Sequence, residues 1–138
     1  MNITQSYLAT PAGTLALTLD NGTIIKAVFI DNPPQEASCN YIFHVPALLL
    51  QGTEFQIKVW QATQKIPAGK TASYKNIATA IGHPGSWRAV ANALASNKIA
   101  YFVPCHRIIS SNGNLGGYKW GTERKAVLIA HEKTKINA

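Results

Sequence analysis

A thiol, an imidazole and a guanidinium stand in a row at Cys105-His106-Arg107, directly after Pro104. Cationic or proton-accepting neighbours lower a thiol pKa from about 8.5 and enrich the thiolate, the form that attacks carbon. Pro-Cys-His-Arg therefore reads as an activated nucleophile. The competing reading is an inert, buried thiol, the ordinary condition of a free cysteine. Proline lacks an N–H and fixes φ, so the apolar, strand-like run 99–102 should end at Pro104 and leave Cys105 in a defined turn.

The elements that must hold this stretch follow from pattern. Leu15, Leu17 and Leu19 alternate with Thr14, Ala16 and Thr18, as on a half-buried strand. Asn21-Gly22 marks a two-residue hairpin, with the next strand over 24–30 and an earlier one over 6–10. After Pro33-Pro34 a polar loop runs to about Asn40, then an apolar piece, 45–50. Gln51-Gly52 is the expected boundary between an N-terminal β unit, 1–50, and a mainly helical domain, 51–138.

Thr53 and Gln56 form a capping box for a helix carrying Phe55, Val59, Ala62 and Ile66 inward and stopped by Pro67 and Gly69. Ala68-Gly69-Lys70-Thr71 superficially resembles a phosphate loop, but Gln64 stands where a glycine is required and no strand precedes it. A short helix over 73–81, a Gly82-His83-Pro84-Gly85 turn, and a helix capped by Ser86 through Ala95 make a helix-turn-helix candidate. Val90 and Leu94 should face its core, leaving Arg88, Ala91, Asn92 and Ala95 outward. Such a small-residue face allows close approach to another surface, though an ordinary alanine-rich helix looks the same. The last helix, 122–133, opens with Glu123 and ends near Lys133 and Lys135, as its dipole favours. Ala126, Val127, Ile129 and Ala130 are its expected anchors. Glu132 sits near the unfavourable end for an acid and calls for a partner.

Charge narrows the partner. Residues 1–50 hold one base against three acids, a net of −2, whereas 51–138 hold twelve bases against three acids, a net of +9. A basic field confined to the part with the nucleophile points to a polyanion such as nucleic acid. No apolar run approaches the ~18 residues of a membrane span, and no secretory signal is visible. Cys39 and Cys105 should then stay free in a reducing, cytoplasmic setting. No zinc-type Cys/His spacing occurs, so no metal is expected.

Pro104-Cys105-His106-Arg107-Ile108-Ile109, followed by Gly116-Gly117-Tyr118, resembles the active-site signature of the O6-alkylguanine-DNA alkyltransferases. The likeness runs from about Thr53 to Glu132. It implies an α+β fold, with a small antiparallel β domain, here shortened, ahead of a helical domain containing a winged-helix-like helix-turn-helix. It implies irreversible, single-turnover transfer of an alkyl group from O6 of guanine, or O4 of thymine, in double-stranded DNA to Cys105, by a monomer without cofactor. By resemblance His106 takes the thiol proton through water and Glu132 orients the imidazole. Asn97 becomes a hinge, Tyr74 helps rotate the nucleotide, and Arg88 fills the vacated stack. Ala91, Asn92 and Ala95 face the minor groove. Cys105 and Ile108 offer backbone groups to the base, and Tyr118, Lys119 and Trp120 form a lid, Lys119 by a backbone N–H. For Trp120, packing on the last helix is the alternative. Two other functions remain open at this point: a non-enzymatic sensor of alkylated DNA, and a cysteine hydrolase.

Overall fold

The computed structural model describes residues 2–32 and 47–136. Cys39 and most of the loop before residue 47 lie outside them. Strands β1 (Ile3–Thr10), β2 (Gly13–Asp20) and β3 (Thr23–Ile30) form an antiparallel sheet in the order β1-β2-β3. Asn21 and Gly22 take φ of 51° and 82°, the two successive positive values that a twist-matched hairpin turn demands. Leu15, Leu17, Ile24, Ala27 and Phe29 bury one face of the sheet, and β1 starts earlier than the pattern suggested.

The helical part contributes α1 (Glu54–Gln64), α2 (Tyr74–Ala80), α3 (Trp87–Ala95) and α4 (Thr122–Ile136). Thr53 closes the expected capping box with Gln56, and Ser73 makes a second one with Asn76 at the start of α2. The Trp60 indole donates to the Ala93 carbonyl at 2.8 Å and fastens α1 to α3. Two short strands absent from the sequence reading, β4 (Ala72–Ser73) and β5 (Ile108–Ile109), pair in parallel and join the start of α2 to the stretch after Cys105. Sheet and helices share one apolar core: the Ala27 N–H donates to Lys98 O and the Ala100 N–H to Ala27 O, each at 2.9 Å. Leu48 adds a bridge to Ile24. Among the described residues no helix is long and apolar enough to cross a membrane.

Several expectations need correction. Residues 99–102 are not a strand beyond the single bridge at Ile99. Instead the Phe102 N–H donates to Ala100 O at 2.8 Å across Tyr101 at φ +72°, a three-residue turn of the rarer, strained hand. Ser86 stands at the N-cap of α3 and its carbonyl accepts the Val90 N–H at 3.0 Å, but its ψ of 28° is not extended and its side chain makes no cap bond. In α4 it is Lys125 and Leu128 that are fully buried, while Ala126, Val127 and Ala130 are exposed. The polar side chain wins because two backbone carbonyls wait for it, as described below.

Gly52 packs under the α1 cap with no room to spare. A Cβ there would lie 2.6 Å from Gln56 Oε1 and 2.7 Å from the buried Trp60 ring. Gly52→Ala should therefore cost about 1–3 kcal/mol, the usual penalty of overpacking. A lower urea midpoint at unchanged slope checks it.

Candidate active site

Cys105 is presented by a second tight turn. Pro104, at φ −80° and ψ 64°, lets the Cys105 N–H reach back to Val103 O at 2.7 Å. These are the angles of the relaxed three-residue turn, and the proline ring supplies the φ in advance. One turn of 3-10 helix, Cys105–Arg107, then leads into β5. The thiol lies at the wall of a cleft of about 340 Å³. Ala91, Leu94 and Ala95 of α3 and Tyr74 of α2 line one side. Gly117, Tyr118, Lys119 and Trp120 line the other.

Asn97 is the nearest polar side chain. Its Nδ2 donates to Ile99 O at 3.0 Å and lies 3.3 Å from Cys105 Sγ, while its Oδ1 accepts the Ile99 N–H at 2.9 Å. The side-chain bonds of Asn97 thus run to Ile99 and Cys105, with none to the backbone of α3. The Lys119 ammonium donates to the Asn97 carbonyl at 3.2 Å and lies over the Trp120 ring, so its side chain points across the cleft rim.

Behind the thiol, His106 is fully buried and its Nε2 meets Glu132 Oε1 at 3.1 Å. The partner required by Glu132 is therefore found, and it is double. Arg107 clamps the same carboxylate through Nε at 3.1 Å and Nη2 at 2.5 Å, and its Nη1 donates to Ile66 O at 2.6 Å. This corrects the sequence reading, because Arg107 is spent on Glu132 and the turn after α1 rather than on the thiol. Burial alone would raise the Glu132 carboxyl, but the hydrogen bonds from His106 and Arg107 hold it at about 2. His106 Nδ1 and Tyr118 Oη are buried with no hydrogen-bond partner among the described residues.

Burial also overturns the expectation of a lowered thiol pKa. Desolvation pushes Cys105 up to about 12, against the opposing pull of the Asn97 amide and the Lys125 and Lys119 ammonium groups. In the free protein the sulfur is a thiol. Burial likewise raises the phenols of Tyr74 and Tyr118.

Lys125 was missed altogether. Its ammonium donates to Ile108 O and to Gly117 O at 3.0 Å, tying the strand after the nucleophile to the lid, and burial lowers its pKa to about 8. The signal was present: Lys125, Leu128 and Glu132 fall at i, i+3 and i+7 on one helical face. Gly116, at φ +74°, lets the lid pass close by, since a Cβ there would sit 3.2 Å from Tyr74 Oη.

Of the residues proposed for DNA, Tyr74, Ala91 and Ala95 line the cleft, whereas Arg88 and Asn92 do not. Arg88 and Asn92 are exposed, with Ala95, and Ala91 is half-buried. The Arg88 guanidinium rests 5.2 Å over the exposed Trp87 ring. Ile108 is buried beside Cys105, with its carbonyl taken by Lys125. Trp120 packs edge-on against Phe29 of β3 at 6.3 Å and also borders the cleft. Among the described residues no cluster of His, Cys, Asp and Glu could hold a metal.

Fold and site together define a helix-turn-helix protein built around an enclosed cysteine. Residues 54–134 match the family described as 6-O-methylguanine DNA methyltransferase, DNA binding domain, and the chain belongs to that family. The bifunctional transcriptional activator/DNA repair enzyme Ada of Escherichia coli is 52% identical over 83 residues, covering 60% of this chain and 23% of that protein. A methylated-DNA--protein-cysteine methyltransferase of Kluyveromyces lactis is 51% identical over 84 residues, 61% of this chain and 44% of that one. The match thus spans less than half the length of either. The structure of Mycobacterium tuberculosis OGT in complex with DNA superimposes with a TM-score of 0.81 at 31% identity, covering 95% of this chain and 93% of that one.

Two measurements test the electrostatics. Alkylation of Cys105 by iodoacetamide in the free protein should keep accelerating with pH well beyond 9, because a thiol near 12 is still mostly protonated there. A plateau near pH 8.5 would show an unperturbed thiol. For Glu132 the folded pKa lies below the ordinary 4.5, so its contribution is complete above 4.5 and disappears as pH falls toward 2. The stability gap between wild type and Glu132→Gln, read from urea midpoints, should therefore shrink on going from pH 6 to pH 3.

Proposed function

We propose that this chain repairs double-stranded DNA by moving an alkyl group from O6 of guanine, or O4 of thymine, irreversibly onto Cys105, acting once, as a monomer and without a cofactor. The observation that carries the reading is the enclosed thiol on a cleft bordered by the second helix of a helix-turn-helix, with a His-Glu pair behind it. Residues 51–138 would perform the reaction, and 1–50 would support it.

In this reading α3 enters the minor groove by its face of Ala91, Asn92 and Ala95, and Arg88 leaves Trp87 to occupy the place of the extruded base. Extrusion costs a few kcal/mol, which phosphate contacts and the inserted side chain offset. Tyr74, Tyr118 and Trp120 receive the base, with backbone groups of Cys105, Ile108 and Lys119 at its polar edge. Filling the cleft shields from bulk solvent a sulfur that is already buried. The thiol proton passes through a water to His106 Nδ1, and Glu132, bonded at the opposite nitrogen, stabilises the imidazolium. The sulfur attacks the alkyl carbon in line and the carbon–oxygen bond breaks. Its electron pair stays with the base, which recovers a proton as guanine. A neutral thioether remains, and nothing in the site can regenerate it.

Mixing the protein with a duplex carrying O6-methylguanine should add one methyl mass to the peptide containing Cys105. Cys105→Ser should lose transfer yet bind DNA with a steep fall in affinity as salt rises, since binding rests on phosphate contacts. Transfer by that variant, or an adduct elsewhere, sinks the mechanism. Arg88→Ala should slow transfer from duplex DNA more than from the free modified base, because only the duplex requires extrusion.

A further inference from the structure

One guanidinium joins the N-terminal sheet to the cleft. Arg124, in the first turn of α4, donates through Nε to Ala12 O at 3.3 Å, through Nη1 to Trp120 O at 3.1 Å and through Nη2 to Asp31 Oδ1 at 2.7 Å. Its carbon centre lies 5.1 Å over the Phe29 ring. The three donors therefore grip three segments: the β1–β2 turn, the end of β3 and the lid.

The grip matters because Trp120 borders the cleft that holds Cys105, with its ring lodged edge-on between Phe29 at 6.3 Å and Tyr118 at 5.5 Å. The lid around it is glycine-rich, with Gly121 at φ +104°, and has little stiffness of its own. The indole ring meets Phe29, Tyr118 and the Lys119 ammonium, while Arg124 holds the Trp120 carbonyl and stacks on Phe29, the ring against which the indole rests. Only arginine offers a planar fork able to serve three acceptors while stacking on a ring. The ion pair is the weakest strand of the grip, since the Asp31 side chain is 85% exposed and exposed pairs contribute little. The part-buried bonds to Ala12 and Trp120, and the ring contact, carry the hold.

We propose that Arg124 is a positioning residue for substrate size: it pins Trp120 against the N-terminal sheet, and the sheet thereby limits the bulk of the alkyl group that reaches Cys105. The proposal rests on the alkyl-transfer reading. Released from Arg124, the indole swings off the cleft and a wider group enters, while a methyl group is handled as before.

The test compares transfer rates from duplexes carrying O6-methylguanine or O6-benzylguanine, read as adduct mass on Cys105. Arg124→Leu should raise the benzyl-to-methyl ratio about tenfold, the scale on which pockets discriminate by bulk, with methyl transfer kept within about threefold. Arg124→Lys, which retains the charge and loses the fork, should give a smaller rise, and Asp31→Asn should match wild type. In a Trp120→Gly background Arg124→Leu should add nothing, because the two changes act through one side chain. An unmoved ratio in folded Arg124→Leu, or the same rise without Trp120, overturns the proposal. If circular dichroism shows Arg124→Leu to be unfolded, Arg124→Lys decides by the same ratio. No adduct in wild type overturns the alkyl-transfer reading and this proposal with it, whereas an adduct with an unmoved ratio overturns the clamp alone.

Discussion

The side-chain amide of Asn97 is the joint on which the site depends. It is buried just past the end of α3, and both of its polar atoms bond the backbone of Ile99, leaving the second amide hydrogen for Cys105 Sγ. Because an unsatisfied buried amide costs about 1–3 kcal/mol, the turn after α3 can adopt few other paths. That path carries the chain into the strained turn at Tyr101 and the relaxed one at Pro104, and so fixes where the sulfur emerges. A helix on the molecular surface and a thiol in its interior are thereby held in one register. Whatever moves α3 must move the sulfur or break that joint.

Around the joint, the charged groups are arranged to make burial tolerable. His106, Arg107 and Glu132 form one cluster in which each hydrogen bond satisfies a group that would otherwise be stranded. Arg107 does not serve the thiol, since all three of its nitrogens are turned to Glu132 and Ile66. Lys125 does for the lid what Arg107 does for the turn after α1: it exchanges water for two carbonyls and stitches Ile108 to Gly117. Desolvation still dominates at the sulfur, and the thiol stays protonated. Two adjacent bases in the sequence suggested the reverse, because adjacency says nothing about which way a side chain points.

What could be read in the sequence was local. The Asn21-Gly22 turn, the Thr53–Gln56 capping box and the outward placement of Arg88, Asn92 and Ala95 follow from chemistry within four residues, and each appears in the structure. The failures were tertiary. The run 99–102 is apolar enough for a strand, but the Asn97 joint turns it before it can pair beyond Ile99. Ser86 stands at the N-cap of α3, but its ψ of 28° is not extended and its side chain makes no cap bond. Lys125 is buried against every expectation of side-chain polarity, because its acceptors lie 8 and 17 residues away. Motif resemblance reached the site residues that periodicity could not, yet it offered nothing on Arg124, whose partners lie on the N-terminal sheet.

A thiol held above its ordinary pKa sits well with a protein that reacts once. An exposed thiolate would be alkylated by any small electrophile, and a consumed molecule could not then repair DNA. Burial makes the neutral thiol the resting state, and in the proposed reaction the His106-Glu132 pair takes its proton. Residues of α3 form part of the wall of that cleft, so a group that completes the site lies against this helix. In the proposed reaction, entry of a base and formation of the reactive sulfur become a single event, in which the binding free energy of the DNA offsets both extrusion and deprotonation. The same burial that suppresses the nucleophile in the free protein makes its activation depend on the substrate.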